Sequence, residues 1–295
     1  MNSRLNIDGV LLLDKPTGWT SNAALQKAKR LFNAAKAGHT GTLDPFASGL
    51  LPICFGQATK FSSHALHGDK TYRAVLKLGV TTTTGDIEGE ALETKPVTLA
   101  FDAVQHVLPD FTGPLLQTPP MYSALKHQGR PLYEYARAGI EIERKPRPVT
   151  IHSLAAEKLD GDELTLNVRC SGGTYIRTLA EDIGRALGCG AHLIALRRTA
   201  SGAFTLDRAI SLAALESMDE SRRAALLLEP DSLVCHLPRI DVDAEAARQL
   251  MQGKHPYTPT NCPSSGLARI YSPQGFVGLA NAGEKLVPSR LMTPP

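Results

Sequence analysis

A switch of hydrophobic period at Gly172-Gly173 restricts the architectures open to this chain. Before it, Leu164, Leu166, Val168 and Cys170 recur at every second position, as a strand buried on one face requires. After it, Ile176, Leu179, Ala180, Ile183 and Leu187 share one stripe of a helix that Gly188 stops. The same texture recurs elsewhere. Gly9–Asp14 reads as a buried strand closed by the Lys15-Pro16-Thr17-Gly18 turn. Thr20 or Ser21 then caps a helix with Ala24, Leu25, Ala28, Leu31 and Phe32 at helical spacing. In Tyr72–Leu78, Tyr72, Ala74, Leu76 and Leu78 share one face, and Arg73 and Lys77 the other. Ala191–Arg197 reads as a further strand, and Leu99–Leu108 and Ser211–Leu228 as helices.

Two stretches break this texture. Phe111–Val149 carries six prolines and six basic residues, and only a short helix around Leu132–Ala138 fits it. So long an irregular segment inside a domain is usually functional or disordered. From His236 the chain becomes a short helix (Ala244–Gln252), a Gly/Pro/Ser-rich loop and two strands, Leu267–Tyr271 and Phe276–Ala280. Ser272-Pro273-Gln274-Gly275 joins the strands as a hairpin turn. At 295 residues the chain has room for two domains. The expected division is residues 1–235, with an insertion at about 111–149, and a small, mostly β domain at 236–295.

Composition narrows the partners. No apolar run approaches the roughly 18 residues of a membrane span. The apolar part of MNSRLNIDGVLLLDKP is too short for a secretory signal, and no small-residue cleavage site follows it. A cytoplasmic protein with no membrane partner is expected. The five cysteines are odd in number and widely spaced, without CxxC, a Cys/His cluster or HExxH. Free thiols are expected, and no metal site. Net charge is only +3, but it is segregated. Lys15–Leu43 holds five basic residues and no acid, and Ser123–Val149 six against three. Gly79–Tyr122 reverses the sign, with six acids against one lysine. A basic face of this kind suits a polyanion, although ordinary solvated charge also accounts for it.

The densest chemical signal is Gly38-His39-Thr40-Gly41-Thr42-Leu43-Asp44-Pro45-Phe46-Ala47-Ser48-Gly49. It is neither a Walker loop nor a dinucleotide fingerprint. Pro45 holds Asp44 out of the α region. Asp44 is then either a carboxylate made reactive by apolar neighbours or the cap of a helix beginning at Pro45. Tyr175 and Arg177 lie where the Gly172-Gly173 turn enters its helix. Arg177 either grips a carboxylate or phosphate with two hydrogen bonds or pairs with Glu181 one turn on. Tyr72 is a stacking face or a core tyrosine. His39 is a loop histidine or a functional one, and Leu196 passes as plain core.

Six segments carry a resemblance: GVLLLDKPTGWTS, GHTGTLDPFASGLLPICFGQATK, KTYRAVLKLGVTTTTGD, TPPMYSALKHQGRPLYEYARAG, CSGGTYIRTLAEDIG and LRRTASGAF. Together and in this order, they resemble the TruB-type bacterial tRNA pseudouridine synthases, from about Gly9 to the C-terminus. The resemblance implies an α/β (α+β) pseudouridine synthase fold with a mixed, mostly antiparallel sheet and a central cleft. It also implies a PUA-like RNA-binding domain at the C-terminus. The implied activity is isomerisation of the uridine at position 55 in the T loop of tRNA, by base flipping and aspartate-dependent cleavage of the glycosidic bond. No cofactor and no metal are implied, and the T arm of tRNA is the partner of a monomer. Asp44 matches the catalytic aspartate, either nucleophile at C1′ or base at C2′. Tyr72 matches the tyrosine that stacks on the target base and is a candidate to remove the C5 proton. Arg177 matches the arginine paired with the aspartate, and Tyr175 and Leu196 match pocket residues. His39 matches a histidine that engages the remodelled T loop, and Lys60 closes the second motif among the substrate-binding positions. The 111–149 insertion matches a segment that closes on RNA. Thr42, Phe46 and Ser48 depart from the residues frequent there. Two alternatives are a non-catalytic RNA-binding protein on this scaffold and a synthase directed by a guide RNA.

Overall fold

The computed structural model describes residues 4–293 other than 261 and 264. A mixed sheet forms its frame. Its main strands are β1 (Gly9–Lys15), β2 (Ser48–Phe55), β3 (Lys70–Leu78), β4 (Gly113–Gln117), β5 (Arg147–Asp160), β6 (Glu163–Cys170), β7 (Ala191–Ser201) and β8 (Ile210–Ser211). They lie in the order β8-β1-β2-β7-β3-β6-β5-β4. Only the β1–β8 and β2–β7 pairings are parallel. Short strands Ala37–His39 and Phe204–Thr205 add to β2 and β7.

The alternation in β3 does what its period dictates. Tyr72, Ala74, Leu76 and Leu78 are buried, while Arg73 and Lys77 face outward to Glu157 and Asp162. On the face that Tyr72 shares, the helix predicted after Gly173 is present as α5 below. Helices α1 (Ser21–Leu31), α2 (Ser62–Leu66), α3 (Phe101–Val107), α4 (Leu132–Arg137), α5 (Ile176–Ala186), α6 (Leu212–Ser217), α7 (Glu220–Ala224) and α8 (Ala244–Met251) complete the chain. α5 buries Ile176, Leu179, Ala180 and Ile183 against the sheet. It can approach β7 because Gly184 has no side chain; a Cβ there would collide with the Ala191 amide. α1 is capped by Thr20, whose side chain accepts from the Ala23 amide. With α6, it covers Leu11, Leu13, Leu51 and Ile53.

Two expectations need correction, and one strand is not legible in the sequence. The insertion is less irregular than its prolines suggest: Gly113–Gln117 pairs with residues 147–151 at the sheet's edge, where Pro114 and Pro148 are tolerated. The helix read across Ser211–Leu228 is two short ones, broken where Asp219 caps α7. β2 has no alternation to betray it, because it is buried on both faces.

The C-terminal residues form a separate four-stranded sheet, β9 (Arg239–Asp241), β10 (Gly266–Ser272), β11 (Gly275–Ala282) and β12 (Val287–Leu291), in that order. The predicted hairpin is its centre. α8 packs on it through Ala247 and Leu250. Leu279 and Phe276 join Val10, Leu12, Leu50 and Phe61 in one apolar cluster, which fastens the small sheet to the large one.

Candidate active site

A cleft of about 370 Å³ opens on the sheet face that carries Tyr72. Asp44, Tyr72, Tyr175, Arg177 and Leu196 all line it. They come from four separate places: the loop before β2, β3, the start of α5, and β7.

Buried polar groups hold the Asp44 loop from both sides. Ser21 Oγ donates to the Leu43 carbonyl (2.9 Å) and accepts from the Leu43 amide (2.8 Å). Lys15, fully buried, donates from Nζ to the carbonyls of Trp19 (2.6 Å), Pro16 (3.0 Å) and Pro45 (3.4 Å). Burial lowers its pKa to about 8. On the other side, Arg198 donates to the carbonyls of Leu50 (2.7 Å) and Gly41 (3.1 Å). β2 can cross so near Arg198 because Gly49 lies there with φ at +102°, where a Cβ would strike the Arg198 backbone. No helix begins at Pro45, so Asp44 is not a helix cap.

Asp44 is paired. Arg177 Nε stands 3.1 Å from Asp44 Oδ2, and its Nη2 donates to Oδ1 at 3.5 Å. The Arg177 side chain is 5% exposed, whereas that of Asp44 is 33% exposed. The carboxylate thus faces the cleft while its partner lies beneath it. Arg177 also meets Asp86 Oδ2 at 3.3 Å and donates to the carbonyls of Thr84 (3.0 Å) and Tyr122 (2.6 Å). Asp86 in turn accepts from Thr84 Oγ1 (2.5 Å) and the Glu88 amide (3.0 Å). A guanidinium spread over two carboxylates and two carbonyls is fixed in angle as well as place. The alternative pairing of Arg177 with Glu181 is not among the ion pairs of the described residues.

The electrostatics of Asp44 are opposed. Burial pushes its pKa above the ordinary 3.8; Arg177 and Lys15 pull it down, while Asp86 adds to the rise. The net direction is up. Burial also raises the Tyr72 phenol, which rests neutral. Tyr175 is fixed through its backbone: its amide donates to Gln117 Oε1 (2.7 Å) and its carbonyl accepts from Gln117 Nε2 (3.0 Å).

Two candidates fall outside this group. His39 lies on the short strand beside the cleft, its Nδ1 accepting weakly from the Gly41 amide (3.4 Å). Lys60 is turned away, donating from Nζ to the Leu291 carbonyl (2.9 Å) of the small sheet. Conversely, Lys15, Ser21, Asp86 and Arg198 build the site, although the sequence alone marks none of them as a site residue. A charged residue inside an otherwise buried strand, as Lys15 closes GVLLLDK, was the available signal.

A carboxylate aimed by a buried arginine into a cleft with tyrosine walls, on a mixed sheet of this order, is the arrangement that the resemblance to pseudouridine synthases implies. Family models agree segment by segment. The N-terminal domain of TruB family pseudouridylate synthases matches residues 29–176. The tRNA pseudouridylate synthase B C-terminal domain matches 177–234, and the pseudouridine synthase II TruB C-terminal model matches 238–292. The chain is 59% identical to tRNA pseudouridine synthase B of Thiobacillus denitrificans, covering 98% of this chain and 97% of that one. It is 55% identical to the protein of that name from Aromatoleum aromaticum, covering 99% and 95%. Among solved structures, a Cbf5-Nop10-Gar1 complex matches with a TM-score of 0.73 and 26% identity over 97% of this chain and 84% of that one. The chain belongs to the TruB family of pseudouridylate synthases.

Proposed function

We propose that this enzyme acts on tRNA, converting the uridine at position 55 of the T loop to pseudouridine, as a cytoplasmic monomer that needs neither guide RNA nor metal. The observation that carries this reading is the Asp44 carboxylate, open to the cleft and held from below by a buried guanidinium. Relatives named tRNA pseudouridine synthase B along nearly the whole chain support the choice of substrate.

Isomerisation breaks N1–C1′, turns the uracil and joins C5 to C1′; the proton lost from C5 is balanced by one gained at N1. No electron acceptor or hydrolytic water enters. The uridine must first leave its stack, at a cost of a few kcal/mol. Stacking on Tyr72 returns about 1–3 kcal/mol. Leu196 and Tyr175 close the pocket around the base. As N1 leaves, positive charge grows on the sugar, and Asp44 meets it as nucleophile at C1′ or as base at C2′, in the manner of glycosidase carboxylates. Arg177 lowers the pKa of Asp44 and so opposes the desolvation that favours its protonated form. The neutral resting state of Tyr72 suits stacking and weighs against it as the base for C5. Residues 1–235 carry this chemistry, the 111–149 segment closes on the RNA, His39 meets the T loop beside the cleft, and residues 236–295 add RNA affinity as a PUA-like domain.

The test uses the purified chain alone with an unmodified tRNA transcript. Pseudouridine at the single T-loop position is expected. Modification at another position, or only after a guide RNA is added, overturns the reading.

A further inference from the structure

β4 ends in a buried amide. Its last residue, Gln117, is 5% exposed, and the 118–146 segment departs from it. A carboxamide brings both donors and an acceptor, and burying it is costly unless they are matched. Among the described residues, the Gln117 side chain bonds to Tyr175 alone, and to both of its backbone groups. Oε1 accepts from the Tyr175 amide at 2.7 Å, and Nε2 donates to the Tyr175 carbonyl at 3.0 Å. That carbonyl also accepts from the Leu179 amide at 3.1 Å, the opening bond of α5. The donor and both lone pairs of the Tyr175 backbone are thereby used.

Tyr175 is where the chain enters α5. Its backbone is extended there (φ −96°, ψ 108°), and its own side chain makes no cap. The first amides of a helix have no intrahelical acceptor, so a helix start frays unless something outside holds it. What precedes holds it little. The chain arrives through Gly172-Gly173, with Gly173 at φ +88°, and the bond from Thr174 Oγ1 to the Ser171 carbonyl (2.9 Å) stays within that turn. The apolar stripe of α5 presses the helix onto the sheet, but hydrophobic contact is not directional. Arg177 stands two residues past the clamp, and from there its Nε reaches Asp44 at 3.1 Å. Its Nη2 donates to the Tyr122 carbonyl at 2.6 Å. The short stretch 117–122 therefore grips the entrance of α5 twice, at residue 175 and at residue 177.

We infer that Gln117 is a positioning residue for the reaction: by clamping both backbone groups of Tyr175 it fixes the entrance of α5, and with it the angle at which Arg177 meets Asp44. Gln117 is not among the residues that line the cleft, so it acts only through Tyr175 and Arg177. A hydrocarbon of the same length lacks both bonds, and a carboxylate keeps only the acceptor. The inference rests on reading Asp44 as the reactive carboxylate.

The experiment is a double-mutant cycle of Gln117→Met and Arg177→Lys, read by single-turnover formation of pseudouridine at saturating enzyme and by the pH dependence of kcat/KM. Gln117→Met should lose about tenfold in rate, less than a full ångström of misplacement costs, with KM within about threefold. In the Arg177→Lys background the same change should cost less than about twofold, because the group it aims is already gone. The pH profile has a defined sign. Arg177 pulls the Asp44 pKa down, so a guanidinium out of line lets it rise, and the acid limb of kcat/KM should move to higher pH in Gln117→Met. Equal losses in both backgrounds overturn the inference, as does an unmoved limb or a folded Gln117→Met at the wild-type rate. If Gln117→Met does not fold, Gln117→Glu, which keeps the acceptor for the Tyr175 amide, goes through the same cycle and should show the same non-additivity; equal losses there overturn the inference too. An Asp44→Asn protein that still turns over would instead overturn the reading of Asp44, and the cycle between Gln117 and Arg177 would be read by itself.

Discussion

The Asp44 loop and the 118–146 segment flank the same cleft but are built oppositely. The loop is tied by the buried side chains of Lys15, Ser21, Arg177 and Arg198, reaching it from β1, α1, α5 and β7. The segment hangs between β4 and β5 and is held largely by itself. Arg144 donates to the carbonyls of Ile142 (3.0 Å) and Pro119 (3.2 Å), and Tyr135 to that of His127 (3.2 Å). It is tied to the site through the Tyr122 carbonyl on Arg177. Chemistry needs a group fixed before the substrate arrives, whereas gripping RNA needs a surface free to adjust. Damage to the loop should therefore appear in the chemical step, and damage to the segment in affinity.

Asp44→Asn is the severest break. It keeps the side chain's shape and removes the charge and the basic oxygen. Single-turnover formation of pseudouridine should fall at least a hundredfold, about 2.7 kcal/mol or more, with RNA affinity little changed. Because burial raises the folded-state pKa of Asp44, its ionisation disfavours folding at neutral pH. The same variant should therefore match or exceed the wild-type Tm, by no more than about 3 °C. A folded variant that still turns over within a hundredfold of wild type would put the chemistry elsewhere.

Arg177→Lys should come next, losing about 10²–10³ in rate. A lysine keeps one charge but cannot span Asp44, Asp86 and two carbonyls at once. Measured kcat should fall more than KM rises; the opposite split would make Arg177 a binding residue.

Asp86→Asn probes the fixed side more gently, through Arg177. About a tenfold loss in kcat is expected, the size of one charge-assisted hydrogen bond. The pH profile adds a sharper sign. On the proposed role of Asp44, activity needs its ionised form and should be lost as pH falls through a pKa raised above 3.8. Asp86 contributes to that rise, so Asp86→Asn should move the acid limb of kcat/KM to lower pH. An unmoved limb would mean that Asp86 only supports the fold.

The smallest effect belongs to the adjustable side. Arg137 lies over the Tyr133 ring at 5.5 Å, on a segment with six basic residues between Ser123 and Val149. Arg137→Ala should raise Kd about threefold, flatten the salt dependence and leave the saturated single-turnover rate alone. A loss of rate instead would erase the contrast between the two regions.

Residues next to one another in the chain announced most of the elements. Alternation placed β3 and β6, and helical spacing with a following glycine placed α5. The hairpin of the small sheet was legible in Ser272-Pro273-Gln274-Gly275. The six motifs pointed to Asp44, Tyr72, Tyr175, Arg177 and Leu196, and the fold brings these into one cleft. β2 escaped notice because burial on both faces erases the period that marks a strand. Lys60 shows what a motif does not convey: its motif is intact, and the chain carries its ammonium to the small sheet, outside the cleft.

Periodicity, capping and motif order depend on neighbours within a few residues, so the linear sequence by itself determined most of the elements and the family resemblance on which the proposed role of Asp44 rests. It could not determine which charges meet. Arg177 had Glu181 one turn away as a local partner, yet it pairs with residues 133 and 91 positions distant because α5 packs its N-terminus against the loops before β2 and after β3. Lys15 and Arg198 became buried supports of the Asp44 loop for the same reason. Desolvation and the pairing of buried charge depend on what the whole chain brings within about 4 Å, and only the tertiary structure decides that.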